Sequence, residues 1–144
     1  MRVFVAFLMI ISFALTLSAQ ENASCRDFTQ GSVEILTESD FLPDGRFNSV
    51  RLSQGDKIEI YKPFYRGRSY MLIISSELTL PGIVVEVKDI SRRVILSSME
   101  ISSLHELVYS PEKNENLIIA VEVVKSEEFE STEQGCVSVV IGFQ

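Results

Sequence analysis

Residues 55–76, GDKIEIYKPFYRGRSYMLIISS, decide the fold because they contain two strand patterns separated by an aromatic and basic connection. In the first pattern Ile58 and Ile60 alternate with polar residues, which is typical of a strand with one buried face. The second pattern, residues 69–76, is apolar on both faces and predicts a central strand of a sheet. This segment therefore indicates a β-sheet protein.

The same alternation recurs along the chain, with turn signals about every 8–12 residues. Strands are predicted over residues 47–52, 57–61, 69–76, 83–88, 94–96, 106–109, 117–124 and 136–143. Turns are predicted at 42–45, where Pro-Asp-Gly has turn chemistry, and at 53–56, as a hairpin; residues 99–104 are a predicted connection. Residues 26–37 fit neither period, so a short helix and an irregular segment both remain open. Eight or nine short strands predict an all-β, antiparallel sandwich.

The first 19 residues have the pattern of a secretory signal peptide. Arg2 is followed by an apolar run that ends at Leu17, and Ser18-Ala19 supplies a small-residue cleavage site. The run of about 15 residues is shorter than the roughly 20 that a membrane-spanning helix needs, which disfavours the alternative of a retained anchor. We therefore predict export across the inner membrane to the periplasm or cell surface, with residues 20–144 as one domain and no transmembrane segment after cleavage.

Removal of residues 1–19 leaves 12 basic residues, one fewer than the 13 of the whole chain, against 20 acidic residues. The mature net charge of −8 repels phosphate backbones and disfavours nucleic-acid binding. In an oxidising compartment the two cysteines, Cys25 and Cys136, are predicted to form a disulfide. Two buried free thiols are one alternative. Lipid attachment to Cys25 is another, although Asn22 stands where the lipid signal needs an apolar residue.

Five segments between residues 67 and 143 occur in an order that is shared with a known type of β-sandwich. These are GRSYMLIISS, GIVVEVKD, ELVYSP, LIIAVEVV and GCVSVVIGF. The order, spanning residues 55–143, resembles the bacterial pre-peptidase C-terminal type of β-sandwich. DGRFN at 44–48 and the ending at 135–143 also resemble small exported proteins of Bacteroidetes-like bacteria. The first resemblance implies a jelly-roll-like sandwich with a binding role and no catalytic residue. The turn Lys88-Asp89-Ile90-Ser91 lacks the Asp- and Gly-rich pattern of a calcium site in that family.

The sequence contains few of the residues and motifs that catalysis or metal binding requires. His105 is the only histidine, and no Gly-x-Ser-x-Gly motif presents a serine to it. One histidine and two paired cysteines are too few for a typical zinc site. A calcium site using Asp40 and Asp44 is an alternative, but acidic residues in Gly-containing turns usually serve the turn itself. We predict a protein that is not an enzyme and that has neither a cofactor nor a metal.

The connection at residues 61–68 is the predicted binding surface. It supplies aromatic and arginine side chains, the types enriched at binding hot spots. The candidate residues are Tyr61, Phe64, Tyr65, Arg66 and Arg68. The expected partner is an envelope protein or a glycan, and the alternative is that these residues only pack.

The loop at 125–134 carries Glu127, Glu128, Glu130 and Glu133, and is either solvated or a docking surface for a basic partner. Alternative functions are a structural envelope protein that self-associates through its sheet edges and, less favoured, a hydrolase.

Overall fold

A computed structural model describes residues 20–144 of the protein as one helix and eight strands. The predicted signal peptide, residues 1–19, lies outside the described residues. The elements are α1 (Gln20–Glu38), β1 (Leu42–Ser53), β2 (Lys57–Phe64), β3 (Tyr70–Ser76), β4 (Ile83–Asp89), β5 (Val94–Ser102), β6 (Leu104–Tyr109), β7 (Glu115–Val123) and β8 (Gln134–Phe143).

The strands form two four-stranded antiparallel sheets. The first has the order β1-β8-β3-β6 and the second the order β2-β7-β4-β5. The predicted all-β antiparallel sandwich is therefore confirmed, with eight strands. Of the two alternatives left open for residues 26–37 the helix is present, and it is longer than expected, at 19 residues.

The main core lies between the two sheets and consists of the side chains that alternate along the strands. In strands β4, β7 and β8 the side chain at every second position points inward and is apolar, as the period of two predicts. The inward residues on these strands are Ile83, Val85, Val87, Leu117, Ile119, Val121, Val123, Val137, Val139 and Ile141, with Phe143 partly buried beside them. Tyr70, Leu72 and Ile74 of the central strand β3 join the same core.

Helix α1 covers the outer face of the first sheet and makes a second, smaller apolar cluster. The cluster consists of Leu36, Phe41, Met71, Ile73 and Val140. This cover explains why β3 and β8 are apolar on both faces. Gly142 lies directly beneath the helix end, where an added Cβ would stand 3.0 Å from Phe41 and 3.1 Å from Leu36. Glycine here lets the sheet and the helix approach closely.

The predicted disulfide is confirmed. Cys25 of α1 is bonded to Cys136 at the start of β8, with the two Cα atoms 5.3 Å apart. Nearby, Ser32 and Ser75 share a hydrogen bond of 2.9 Å between their hydroxyl oxygens, and both are buried. The helix is thus attached to the sheet covalently at one end and by apolar packing at the other.

Two turn predictions are wrong. Residues 53–56 do not close a hairpin, because β1 belongs to the first sheet and β2 to the second. The turn has the expected chemistry, with Gly55 at φ 82° and the Asp56 carboxylate accepting from the Ser53 amide at 2.8 Å, but it crosses between sheets. The Pro-Asp-Gly sequence does not precede the strand either. It lies inside β1 as a bulge between Pro43 and Phe47.

The predicted short strand 94–96 and connection 99–104 are also corrected, because β5 runs unbroken from Val94 to Ser102. Met99 and Ile101 on this strand are exposed, at 64% and 59%. Apolar residues that face solvent on an edge strand do not produce the alternation by which a strand is recognised.

Candidate functional site

The predicted binding connection is shared between a strand and a loop. β2 continues to Phe64, so only residues 65–69 connect β2 to β3. Tyr61 pairs with Ile118 and lies on the outer face of the second sheet, 63% exposed. Phe64 is fully buried in the core. The five candidate residues therefore do not form one surface, and Tyr65, Arg66 and Arg68 are the ones that the loop presents to solvent.

Phe64 supports the loop from below. Its ring meets those of Tyr70 and Tyr109 edge-on, at centroid distances of 4.6 Å and 6.0 Å. The Tyr70 hydroxyl accepts a hydrogen bond of 2.9 Å from the Tyr65 amide. The buried aromatic cluster thus fixes the backbone position at which Tyr65 leaves the strand.

The loop is held at two further points. The Arg66 amide donates to Asn114 Oδ1 at 2.9 Å, which ties the loop to the β6–β7 connection. Ser69 and Gln144 exchange two backbone hydrogen bonds of 3.0 and 3.1 Å, which ties it to the end of β8. Gly67 adopts a φ of 84°, a left-handed conformation that favours glycine. These contacts make the loop a preorganised surface rather than a loose connection.

The Arg68 guanidinium lies over two aromatic rings. It is 4.8 Å from the Phe143 centroid and 6.0 Å from the Tyr65 centroid. Stacking of this kind leaves the N–H groups at the guanidinium edge available to an acceptor. A pocket of about 230 Å³ opens beside it. The pocket is lined by Asp44, Arg46, Lys62, Pro63, Tyr65, Arg68, Tyr70 and Phe143.

The cations around this pocket differ in how their charge is compensated. Lys62 forms an ion pair with Asp44, whose other oxygen accepts from the Arg46 amide at 2.9 Å. Burial lowers the pKa of Lys62 from its ordinary value. Asp44 was a candidate calcium ligand, but here its partners are cationic and backbone donors. Residues 20–144 contain no group of three or more histidine, cysteine, aspartate or glutamate side chains that could hold a metal ion.

Among the described side chains, those of residues 25–144, Arg46, Arg66 and Arg68 have no acidic partner. The arginines of the β4–β5 turn are different. Arg92 makes a bidentate contact with Glu59 at 2.7 and 3.1 Å, and Arg93 lies 3.2 Å from Asp89. Three arginines at this end of the sandwich therefore make no ion pair with the described side chains, in a protein that is acidic as a whole.

The opposite end of the sandwich is acidic. The β7–β8 connection carries the four exposed glutamates predicted to form a solvated or docking loop, namely Glu127, Glu128, Glu130 and Glu133. Gln54 holds this connection in place, donating to the Phe129 carbonyl at 2.8 Å and accepting from the Ser126 amide at 2.9 Å. Phe129 is half-buried.

Tyr109 lies beneath the candidate site and has a perturbed pKa. Its hydroxyl donates to the Glu115 carboxylate. Burial, followed by this hydrogen bond and the negative charge of Glu115, raises the pKa of Tyr109 to about 12. The neutral phenol therefore favours the folded state. Its contribution to stability is complete below pH 10 and is lost as the pH rises through about 12.

We expect a difference absorbance titration of wild type against Tyr109→Phe to show one tyrosine that ionises with a midpoint of about 12. In Glu115→Gln the midpoint should move toward the ordinary value, because the variant removes the charged acceptor. A midpoint near 10 in the folded wild-type protein would contradict both the burial of Tyr109 and its contact with Glu115.

His105 has a hydroxyl partner that sequence analysis missed. Its Nδ1 lies 2.8 Å from Ser98 Oγ, and its Nε2 lies 2.8 Å from the Ile83 carbonyl oxygen. A carbonyl only accepts, so Nε2 carries the proton and Nδ1 accepts from Ser98. His105 is buried between the sheets. The contact joins the two sheets, because β5 belongs to the second sheet and β6 to the first. No sequence motif predicts a contact between strands of different sheets.

Replacing His105 by alanine is expected to lower the free energy of unfolding by about 1–3 kcal/mol, since it leaves the Ile83 carbonyl and the Ser98 hydroxyl without a partner. Ser98→Ala removes only one of the two hydrogen bonds and should cost about 0.5–1.5 kcal/mol. Urea denaturation measures both values. Equal stability of His105→Ala and wild type would show that these hydrogen bonds do not form in solution.

Comparisons with known proteins give a likeness of fold. No protein-family model matches the sequence, and no curated protein matches it significantly. A solved structure of the Aeromonas hydrophila PliG, a periplasmic lysozyme inhibitor of g-type lysozyme, matches with a TM-score of 0.50 at 12% identity. The match covers 69% of this chain and 85% of that chain.

The pre-peptidase C-terminal domain of collagenase from Bacillus anthracis also matches, with a TM-score of 0.48 at 8% identity over 65% of this chain and 87% of that chain. The domain type that the sequence resembles is thus among the solved structures found. In the described part of the chain no helix is long and apolar enough to span a bilayer. The chain has the two-sheet β-sandwich fold, and at these identities the likeness is one of fold alone.

Proposed function

We propose that the protein is an exported, non-enzymatic binding module that recognises an anionic partner in the cell envelope. The contact surface consists of Arg46, Tyr65, Arg66 and Arg68 and is called the arginine surface below. The observation that carries the proposal is that none of these three arginines has an acidic partner among the side chains of residues 25–144. The mature chain has 20 acidic residues against 12 basic ones, so partners are not scarce.

The geometry of the arginine surface suits recognition of carboxylates. Stacking on Phe143 restricts the Arg68 guanidinium before a partner arrives, so little side-chain entropy remains to be lost on binding. The planar N–H fork matches a carboxylate in a bidentate contact. Tyr65, 48% exposed, adds an aromatic face beside it. Acidic protein side chains and acidic sugars both present such groups.

The size of the pocket favours a macromolecular partner. At about 230 Å³ it lies below the range of roughly 300–1,000 Å³ typical of small-molecule sites. It accommodates one acidic side chain or one sugar carboxylate, which is the scale of a hot-spot contact within a larger interface.

Three further observations support the proposal. The disulfide is typical of proteins that fold in an oxidising compartment, in agreement with the signal-peptide pattern of residues 1–19. His105 is buried between the sheets, where a substrate does not reach it, and its two ring nitrogens join Ser98 and Ile83 across the sandwich, in keeping with a structural role. The A. hydrophila protein of similar fold is an inhibitor of another protein, so the fold is compatible with a binding role.

The test is affinity capture from an envelope fraction with mass spectrometry. We compare wild type with a Tyr65→Ala, Arg66→Ala, Arg68→Ala variant. An Arg92→Ala, Arg93→Ala variant is the matched control, because those two arginines already have acidic partners. The expected result is one partner that is recovered with wild type and control, lost with the triple variant, and released by raised salt. Identical profiles for all three proteins would refute the proposal.

A further inference from the structure

The four edge strands of the sandwich differ in how they are protected from pairing with other chains. β2 carries Pro63 together with Lys57 and Lys62, which disfavour an added strand. Two register shifts interrupt the pairing of β5 with β4. β6 has only six residues. Each of these is a device by which natural sheets protect their edges.

The remaining edge, residues 47–53 of β1, lacks the proline, the lysines, the register shifts and the shortness that protect the other three edges. These residues pair with β8 in unbroken register from Phe47↔Val140 to Ser53↔Gln134. They contain no proline and no lysine. Phe47 and Val50 are 51% and 38% exposed. Within residues 20–144 no strand pairs with the outer side of β1, so its outward N–H and C=O groups are available at ladder spacing.

A groove runs between this edge and helix α1. Its volume is about 540 Å³, and its lining includes Arg26, Gln30 and Val33 of the helix with Phe47 and Ser49 of the strand. A strand added to β1 would direct every second side chain toward the helix, into this groove. The edge can therefore pair with the backbone of an added strand, and the groove can distinguish between the side chains that the added strand carries.

We infer that β1 and this groove bind an extended, acidic segment of another protein by strand addition. Arg26 is exposed and has no acidic partner among the side chains of residues 25–144, so it attracts a carboxylate on the incoming strand. Val33 and Phe47 provide an apolar wall for a neighbouring side chain. An alternation of acidic and apolar residues fits both features.

The charge of β1 argues against a second copy as the occupant. Residues 45–53 contain no acidic residue; Arg26 lines the groove, and Arg46 lies between Gly45 and Phe47, which also line it. Pairing two copies through β1 would add no carboxylate to the groove and would bring these arginines of both chains closer together, which is unfavourable for neighbouring strands. This inference goes beyond the proposed function because it concerns a different surface and stands on different observations.

The first test uses synthetic seven-residue peptides and nitrogen-15-labelled protein. One peptide alternates Glu with Val, a second replaces Glu by Lys, and a third carries N-methyl groups on alternate amides of the acidic sequence. The acidic peptide is expected to slow hydrogen exchange at alternate amides of residues 47–53, and the other two are not. Equal protection by the Lys peptide, protection by none, or a size that rises with protein concentration without peptide would overturn the inference.

Variants separate this site from the arginine surface. Arg26→Glu is expected to weaken binding of the acidic peptide about tenfold, whereas Arg93→Glu at the β4–β5 turn should leave it unchanged. Ser49→Pro and Val50→Pro test the backbone directly, because neighbouring residues of an edge strand direct their amides alternately toward β8 and outward. The variant that loses the outward amide should fold and lose peptide binding, whereas the variant that loses the amide bonded to β8 should be destabilised. The Tyr65→Ala, Arg66→Ala, Arg68→Ala variant should still bind the peptide, so failure of one proposal leaves the other to be judged separately. An unchanged affinity in Arg26→Glu would refute the acidic character of the ligand.

Discussion

Replacing Phe64 by alanine is expected to lower the free energy of unfolding by about 3–5 kcal/mol, as measured by urea or guanidinium denaturation. The side chain is fully buried and packs edge-on against Tyr70 and Tyr109, so truncation leaves a cavity that rigid strands on both sheets cannot fill. The 65–69 loop should also become less ordered in this variant, because the Tyr70 ring that packs on Phe64 carries the hydroxyl that accepts from the Tyr65 amide.

Tyr61→Ala is the matched control for this prediction. Tyr61 is an aromatic residue of the same strand, but it is 63% exposed, and its replacement should change stability by no more than about 0.5 kcal/mol. If Phe64→Ala were as stable as wild type and yet failed to capture the partner, Phe64 would be a contact residue, and its buried position would be contradicted.

Removing the disulfide with Cys25→Ala and Cys136→Ala is expected to lower the free energy of unfolding by about 4–5 kcal/mol on the loop-closure model, and by about 2–5 kcal/mol by analogy with small secreted domains. The bond closes a loop with a sequence separation of 111, so it restricts most of the unfolded chain. The midpoint and slope of a denaturation curve measure the change.

Hydrogen exchange should locate the effect of this substitution. Leu36 and Phe41 anchor the end of the helix in the apolar cluster, whereas Cys25 anchors its earlier part covalently. Without the disulfide, amides of residues 25–30 should exchange faster than those of 33–38. Reduced wild-type protein is the control and should match the double variant. Equal unfolding curves for oxidised and reduced wild type would refute a stabilising role for the bond.

The sequence predicts the central strands well because their environment is uniform. β3, β4, β7 and β8 each have neighbours on both sides, and burial forces a regular choice of apolar residues on the inward face. The edge strand β5 has no such constraint on its outward residues, so Met99 and Ile101 obscure its pattern. The turn at residues 53–56 has the same composition whether it closes a hairpin or crosses between sheets. Local chemistry therefore cannot assign β1 and β2 to different sheets.

The helix was recognised only as an open alternative for a specific reason. Its buried positions are Cys25, Thr29, Ser32 and Leu36, which recur at helical spacing. Two of the four carry hydroxyl groups, satisfied by the Cys25 carbonyl and by Ser75. A hydrophobic pattern does not register such positions, although a search for small residues at spacings of three and four would have found them.

The residues of the arginine surface come from separate parts of the sequence, and the pattern of the 61–68 connection does not show which of them lie together. Phe64 and Tyr65 are adjacent aromatic residues, and only the end of β2 decides that one enters the core and the other faces solvent. Arg46 was not among the candidates, because the bulge in β1 brings it to the pocket from a distant part of the sequence. The sequence shows where residue types that are common at binding hot spots occur, whereas the strand ends and the bulge determine which of them meet.

The arginine surface and the acidic loop lie at opposite ends of the sandwich. The arginine surface is at the end where Phe64 pairs with Glu115, and the four glutamates of the β7–β8 connection are at the other end. Under the proposed function, an anionic partner would be repelled by the net charge at long range and attracted by the arginines at short range. The distance between the two groups of charges would then favour approach from the arginine end, so the same arrangement would act on the orientation of encounter as well as on the contact itself.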